Sequence, residues 1–321
     1  MASQARQQSR WVGAAVQREC AAMMVLLVLL VPGCSVKRYA INKLGDSLAQ
    51  GTSTFSSDDD IQLIGDALPF SLKLIESLLA ESPNHRGLLI AAVSGFTQYA
   101  YLYVQQPADE LESIDITKCL DMRSRARRLY IRARNYGLRG LEVAHPGLEE
   151  TLRETPDVAV RKLVESDVPL AYWTAASWAS AISLGKDNPE LIADQRVVEA
   201  LIDRAAALDE RFQAGAIHSF LIAYEPARQG GKGDPLARAR SHFERAIELS
   251  GDKLAGPYVT YAETVAVSKQ DRAEFESMLR RALTIDVDRK PEWRLANLAY
   301  QRRARWLLAQ IDDLFLPVNQ E

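Results

Sequence analysis

The chain has 321 residues, 47% of them hydrophobic and 25% charged, with a formal net charge of −3. That length carries one elongated domain or two compact ones. The mildly acidic balance argues against a dedicated nucleic-acid binder.

From Cys20 to Val31 the chain runs twelve residues without a charge, short of the roughly 20 apolar residues that a bilayer-spanning helix needs. Arg6, Arg10 and Arg18 precede the run, partly offset by Glu19, and it closes on Val31-Pro32-Gly33-Cys34. A basic start, a short apolar middle and a small-residue end are the parts of an export signal. The ending resembles a bacterial lipobox, although Pro32 is an unusual occupant of its position. That resemblance implies cleavage before Cys34 and lipidation of its thiol. Residues 1–33 are therefore expected to be a lipoprotein signal peptide, leaving a soluble body tethered beside a membrane. Each buried acyl methylene contributes about 0.8 kcal/mol to such a tether. Ser35 stands where Asp would favour the inner membrane, which points to the outer one. Removing Arg6, Arg10, Arg18 and Glu19 leaves 36 basic and 41 acidic residues, a net charge of −5. With Cys20 gone and Cys34 acylated, Cys119 is the one thiol left, so neither an intramolecular disulfide nor a cysteine metal site can form.

Residues 34–57 read as the lipidated cysteine and a polar linker, and Asp58–Asp60 suit the start of a helix, where the macrodipole favours negative charge. From there onward the period is helical and strand alternation is missing. Asp167-Val-Pro169, Asp234-Pro235, Gly256-Pro257 and Lys290-Pro291 place proline where a helix begins. Asp271-Arg-Ala-Glu274 has the form of a capping box.

Three stretches align without gaps: Leu201–Glu210, His242–Gly251 and Met278–Val287. Each carries Arg-Ala at its centre, at Arg204-Ala205, Arg245-Ala246 and Arg281-Ala282, with an aliphatic residue three further on. The spacings of 41 and 36 residues lie near the tetratricopeptide period. The stretches are predicted to be second helices, with first helices at Pro169–Leu184, Phe212–Glu225 and Pro257–Lys269. Gly87–Val104 and Arg123–Glu142 read as an earlier, divergent pair. The expected fold class is all-α: divergent tetratricopeptide-like helix pairs in a curved solenoid, one domain over residues 58–321.

His85, His145, His218 and His242 show no metal-ligand spacing, and no nucleophile motif or phosphate loop is present. Glu165 and Asp167 read as surface and cap, and nothing resembles an active site. The seven arginines between Arg123 and Arg139 read as a solvated face pairing with nearby acids, in preference to a patch for an acidic partner. Two aromatic clusters stand out. Tyr99 and Tyr103 share a helix face at i,i+4 while Tyr101 points elsewhere; Tyr172, Trp173 and Trp178 sit among alanines and serines. Large rings beside small residues either line an apolar cavity or fill gaps between close helices.

Four segments, GFTQYAYLYVQQPADEL, ARRLYIRARNYGLRGLE, DVPLAYWTAASWASAISLGKDNPEL and GGKGDPLARARSHFERAIELSGDKLAG, together with the lipobox, resemble the TatT family. This is the T component of tetratricopeptide-repeat-associated TRAP transporters, and the resemblance covers about Gly87 to Ile285. It implies a periplasmic, lipid-anchored, homotrimeric helical protein. Its partner would be a TRAP-type periplasmic solute-binding protein, and a small hydrophobic ligand would pass through it. On that basis Tyr99, Tyr103, Tyr172, Trp173 and Trp178 are the pore candidates, with Trp173 and Trp178 expected to contact ligand or gate its path. No cofactor is implied. The rivals are an envelope adaptor that scaffolds proteins without a small ligand, and a wall-polymer hydrolase.

Overall fold

Asp60 opens the first long helix. Its carboxylate accepts the Leu63 N–H at 2.9 Å, and α1 runs Ile61–Glu81. The structure, a computed structural model, describes Lys43 and residues 52–316; residues 1–33 and Cys34 lie outside the described residues. Thr52–Ser56, inside the stretch read as linker, forms a short helix. His85 caps α2 (Arg86–Ala100), and Asp115 caps α3 (Ile116–Ala144) by accepting the Lys118 N–H at 3.0 Å. After a segment of short helical turns, Leu148–Glu154 and Pro156–Ala159 among them, come α4 (Val168–Ser183), α5 (Gln195–Leu208), α6 (Ala216–Tyr224) and α7 (Pro235–Ser250). The last are α8 (Gly256–Tyr261), α9 (Arg272–Leu283) and α10 (Arg294–Ala309). The chain is all-α, with no strand among the described residues. The proline and aspartate punctuation works as read: Asp234 accepts from Leu236 and Ala237 N–H, and Asp271 from Glu274 N–H.

Helices consecutive in the chain pack on one another, and α2 also touches α4 across α3. Small residues permit this closeness. A Cβ on Gly137 of α3 would stand 2.0 Å from Thr174 Oγ1 of α4, and one on Gly140 2.5 Å from Leu170. Ala205, Ala246 and Ala282, the repeated alanines, are each 0% exposed. Their arginine neighbours also act alike, since each ties its own helix to a loop that lies before the preceding helix. Arg204 donates to Leu163 O at 2.6 Å, Arg245 pairs with Glu210, and Arg281 pairs with Asp252. One predicted boundary moves. Gln213, Ala214 and Gly215 take φ of 44°, 56° and 91°, so regular helix begins at Ala216 and not at Phe212. The left-handed region breaks a helix because it points successive peptides the wrong way.

Beyond a linear stack, α10 packs on α8 and α9 and also on α1 and Thr52–Ser56, so the two ends of the described array meet. Arg294 Nη1 donates to Ser57 O at 2.8 Å, and Arg302 pairs with Glu110 at 3.3 Å.

The arginines of α3 are partnered, as the solvated-face reading expects. Arg123 pairs with Asp109 and Glu112, Arg127 with Asp187, Arg132 with Glu76 and Arg134 with Asp194, while Arg125 and Arg128 bond Tyr99 and Ser124 and Arg139 bonds backbone carbonyls. Asp167 departs from its reading as a cap of α4, since its side chain accepts from no N–H of that helix. It is 2% exposed, because Arg86 and His145 converge on it from other helices.

Candidate functional site

The structure brings the sequence-predicted aromatic residues together in part. Tyr99 and Tyr103 stack with ring centroids 5.8 Å apart. The Tyr103 hydroxyl donates to Ile61 O at 3.0 Å, and its ring covers Gly65, where a Cβ would come within 2.6 Å. Tyr99 accepts from Arg125 Nη2 at 3.2 Å. On α4, Tyr172 meets Trp173 at 4.9 Å and Phe212 and Phe220 at 5.3 and 6.5 Å. Burial pushes the Tyr172 phenol far up. Trp178 stands apart from this group. It is 1% exposed, donates its indole N–H to Asp194 at 3.2 Å, and lies under the Arg134 guanidinium at 4.8 Å. These contacts make it a packed anchor between α3, α4 and the start of α5.

A second constellation, missed in the sequence reading, forms where two helices are interrupted by a wider turn. Tyr101–Gln105, continuing α2, and Ala262–Ala266, continuing α8, are π-helical: the Gln106 N–H reaches back to Tyr101 O and the Val267 N–H to Ala262 O. Such single turns insert one residue into a helix and re-aim its side chains. One turn presents Tyr101 and Gln105, the other Glu263, and α10 places Tyr300 and Arg303 opposite them. Tyr101 and Tyr300 rings lie 6.5 Å apart. Arg303 donates to Glu263 Oε1 from Nη2 at 2.7 Å and from Nε at 3.0 Å, with Asp109 Oδ2 at 3.6 Å. Asp109 also takes Arg123 at 2.9 Å. The Tyr130 hydroxyl donates to Gln105 Oε1 at 2.7 Å behind the turn.

Electrostatics follow from enclosure. Burial, with Glu263 nearby, pushes the Tyr101 phenol up to about 12. Burial and then Tyr101 and Tyr172 hold Tyr300 well above its ordinary value. Burial also raises Glu263 and Asp109 against the opposing pull of Arg303 and Arg123. Yet these groups are not sealed into close-packed core. Glu263 and Asp109 side chains remain 26% and 19% exposed, and Tyr101 and Tyr300 are partly accessible although protein surrounds them. A cleft of about 420 Å³ bordered by Pro169, Asp209 and Phe212 opens on the Tyr172 side.

The chemistry available here is binding. Phenols held neutral, aromatic faces and a charge-compensated ion pair suit a ligand with a large apolar part. No cluster of three metal-ligating side chains occurs among the described residues, although His218 and His242 do meet, Nδ1 to Nδ1 at 2.9 Å. Tyr300, Arg303 and Glu263 carry no local signal in sequence. Only closure of the array joins them to Tyr101.

Two comparisons bear on this geometry. A protein of Treponema pallidum (strain Nichols), described as "Uncharacterized protein", is 31% identical over 306 residues, spanning 90% of this chain and 95% of the relative. The signature of the family described as TRAP transporter T-component matches residues 57–315, from the loop before α1 to the residue after the short helix Ile311–Leu314. That family is one of transport components, not of enzymes. An all-helical chain matched from end to end of its described array thus belongs to the TRAP transporter T-component family.

Proposed function

We propose that this protein is a periplasmic accessory subunit of a TRAP-type transport system, anchored by acylated Cys34, that holds or passes a small apolar ligand. Its partner is the system's solute-binding protein, and three copies assemble as the family resemblance implies. The outer membrane is the favoured site of the anchor. The helix pairs are divergent tetratricopeptide-like repeats, a reading supported by the equivalent placement of Arg204, Arg245 and Arg281 and the buried alanines beside them.

The observation that carries the ligand reading is the enclosed, still accessible aromatic surface formed by Tyr101 and Tyr300. Tyr172 and Trp173 would extend it on the Phe212 side, while Tyr99 lies on the same helix before the π turn and Tyr103 lies within that turn. Trp173, partly exposed and touching Tyr172, remains the gate candidate; Trp178 acts through packing.

Native mass spectrometry of residues 35–321, before and after organic extraction, tests this. The expected result is a trimer carrying a small apolar molecule that extraction removes. A ligand-free monomer indifferent to the TRAP solute-binding subunit would overturn the reading.

A further inference from the structure

His218 of α6 and His242 of α7 meet Nδ1 to Nδ1 at 2.9 Å, with ring centroids 5.1 Å apart. Two bare imidazole nitrogens have nothing to donate, and two that each carry a proton repel at this distance. One proton therefore lies between the rings, donated by one and accepted by the other. The outer nitrogens each face a carboxylate: His218 Nε2 lies 3.5 Å from Glu210 Oε2, and His242 Nε2 lies 3.7 Å from Glu225 Oε1. In the neutral pair only one outer nitrogen carries a proton, and the other turns its lone pair to an acid. A first added proton goes to that bare nitrogen and leaves the bridge intact. A second has only the bridging lone pair to take, and taking it ends the bridge.

The surroundings offer a second charge little support. Glu210 is already paired with Arg245, and Glu225, 2% exposed, with Arg228 and Arg238. Asp203 of α5 reaches Arg228, and Glu199 faces Tyr224. On α7 itself Arg240 pairs with Glu244 and Glu274, and Glu248 with Arg245. Helices α4 and α8, which also touch α6, carry no charged side chain, and the π turn against α7 brings Glu263, held by Arg303. Burial first, and for His242 the neighbouring His218 next, pushes both imidazoles below their ordinary value.

We propose that His218 and His242 are a proton-operated clamp between α6 and α7, closed while one proton bridges the rings and opened when both rings are charged. Histidine is the side chain suited to this, since its ordinary titration falls near neutral pH. Opening would reach beyond the pair. Phe220, two residues past His218, meets Tyr172 of α4 at 6.5 Å, so freeing α6 loosens that aromatic group. The clamp stands independently of the ligand reading. Because both rings are held down in the folded state, closure is complete above about 6.5 and weakens as pH falls from there through the folded values. Each proton taken up on opening multiplies the open population roughly tenfold per pH unit.

Nuclear magnetic resonance and amide exchange on residues 35–321, with nitrogen-15 in the histidines, test the clamp. At pH 7.5 a nitrogen–nitrogen coupling across the bridge should join the two Nδ1 atoms, and at pH 5 it should be gone. Over the same interval exchange in residues 216–250, corrected for the intrinsic effect of pH, should rise roughly tenfold relative to α2 and α3. His218→Asn keeps a hydrogen-bonding atom near the Nδ1 position and does not titrate, so it should remove that rise. The coupling is read on the wild type and needs no variant to fold. Its absence at pH 7.5, or its survival at pH 5, would overturn the clamp. A rise shared equally by all helices would do the same, since that is general acid unfolding, as would one undiminished in His218→Asn, which would put the sensor on another group.

Discussion

Asp167 holds three donors at once: Val164 N–H at 3.0 Å, His145 Nε2 at 2.7 Å and Arg86 Nη2 at 2.7 Å. Burial raises its carboxyl, but these three outweigh burial and hold it below its usual value. A carboxyl held down in the folded state adds stability that is complete above its unfolded value of about 3.9 and is lost as pH falls through the folded one. Asp167→Asn should therefore destabilise the protein by about 3 kcal/mol near pH 7. Thermal melts of wild type and variant should converge as pH falls below the usual carboxylate range and through the lowered folded value; a gap that stays constant with pH would refute the assignment. The residue shows what sequence can and cannot disclose. An Asp two places before Pro169 reads as a cap, but Arg86 comes from 81 residues away and His145 from 22. Tyr99 and Tyr103 were legible as a pair because i,i+4 spacing is local. The meeting of Tyr101 with Tyr300 and of Glu263 with Arg303 was not, since neither pair is local in sequence.

At the scale of elements, the Arg-Ala repeat separates two roles. The alanine permits close approach of helices and the arginine ties down a loop. Ala246→Leu should destabilise by about 2 kcal/mol through overpacking, and Arg204→Met by about 1.5 kcal/mol through loss of its bond to Leu163 O. Urea midpoints of residues 35–321 measure both. A larger loss for Arg204→Met would mean that loop clamps, not packing, hold the pairs together. Helix starts were readable because Asp234, Asp271 and the prolines act within one turn of themselves. The π turns were not readable. Nothing in YLYVQ or AETVA marks an extra residue, and the widening makes sense only against Tyr300 and Arg303 on another helix.

At the scale of the whole described array, α10 closes what the sequence alone presents as an open series of helices. A chain ending at Lys290 should keep the helical signal of its remaining residues but show faster amide exchange at Tyr101–Gln105. Native exchange rates there would show that closure is dispensable. Joining Arg294 to Ser57 spans 237 residues of sequence, and such long-range closure is slow and comes late in folding. Since chains emerge N-terminus first, helices α1 to α9 exist before α10 can dock on them. The contacts of Tyr101 with Tyr300 and of Glu263 with Arg303 are then acquired in a single late event, so that, on the proposed reading, a half-made chain has nowhere to hold a ligand.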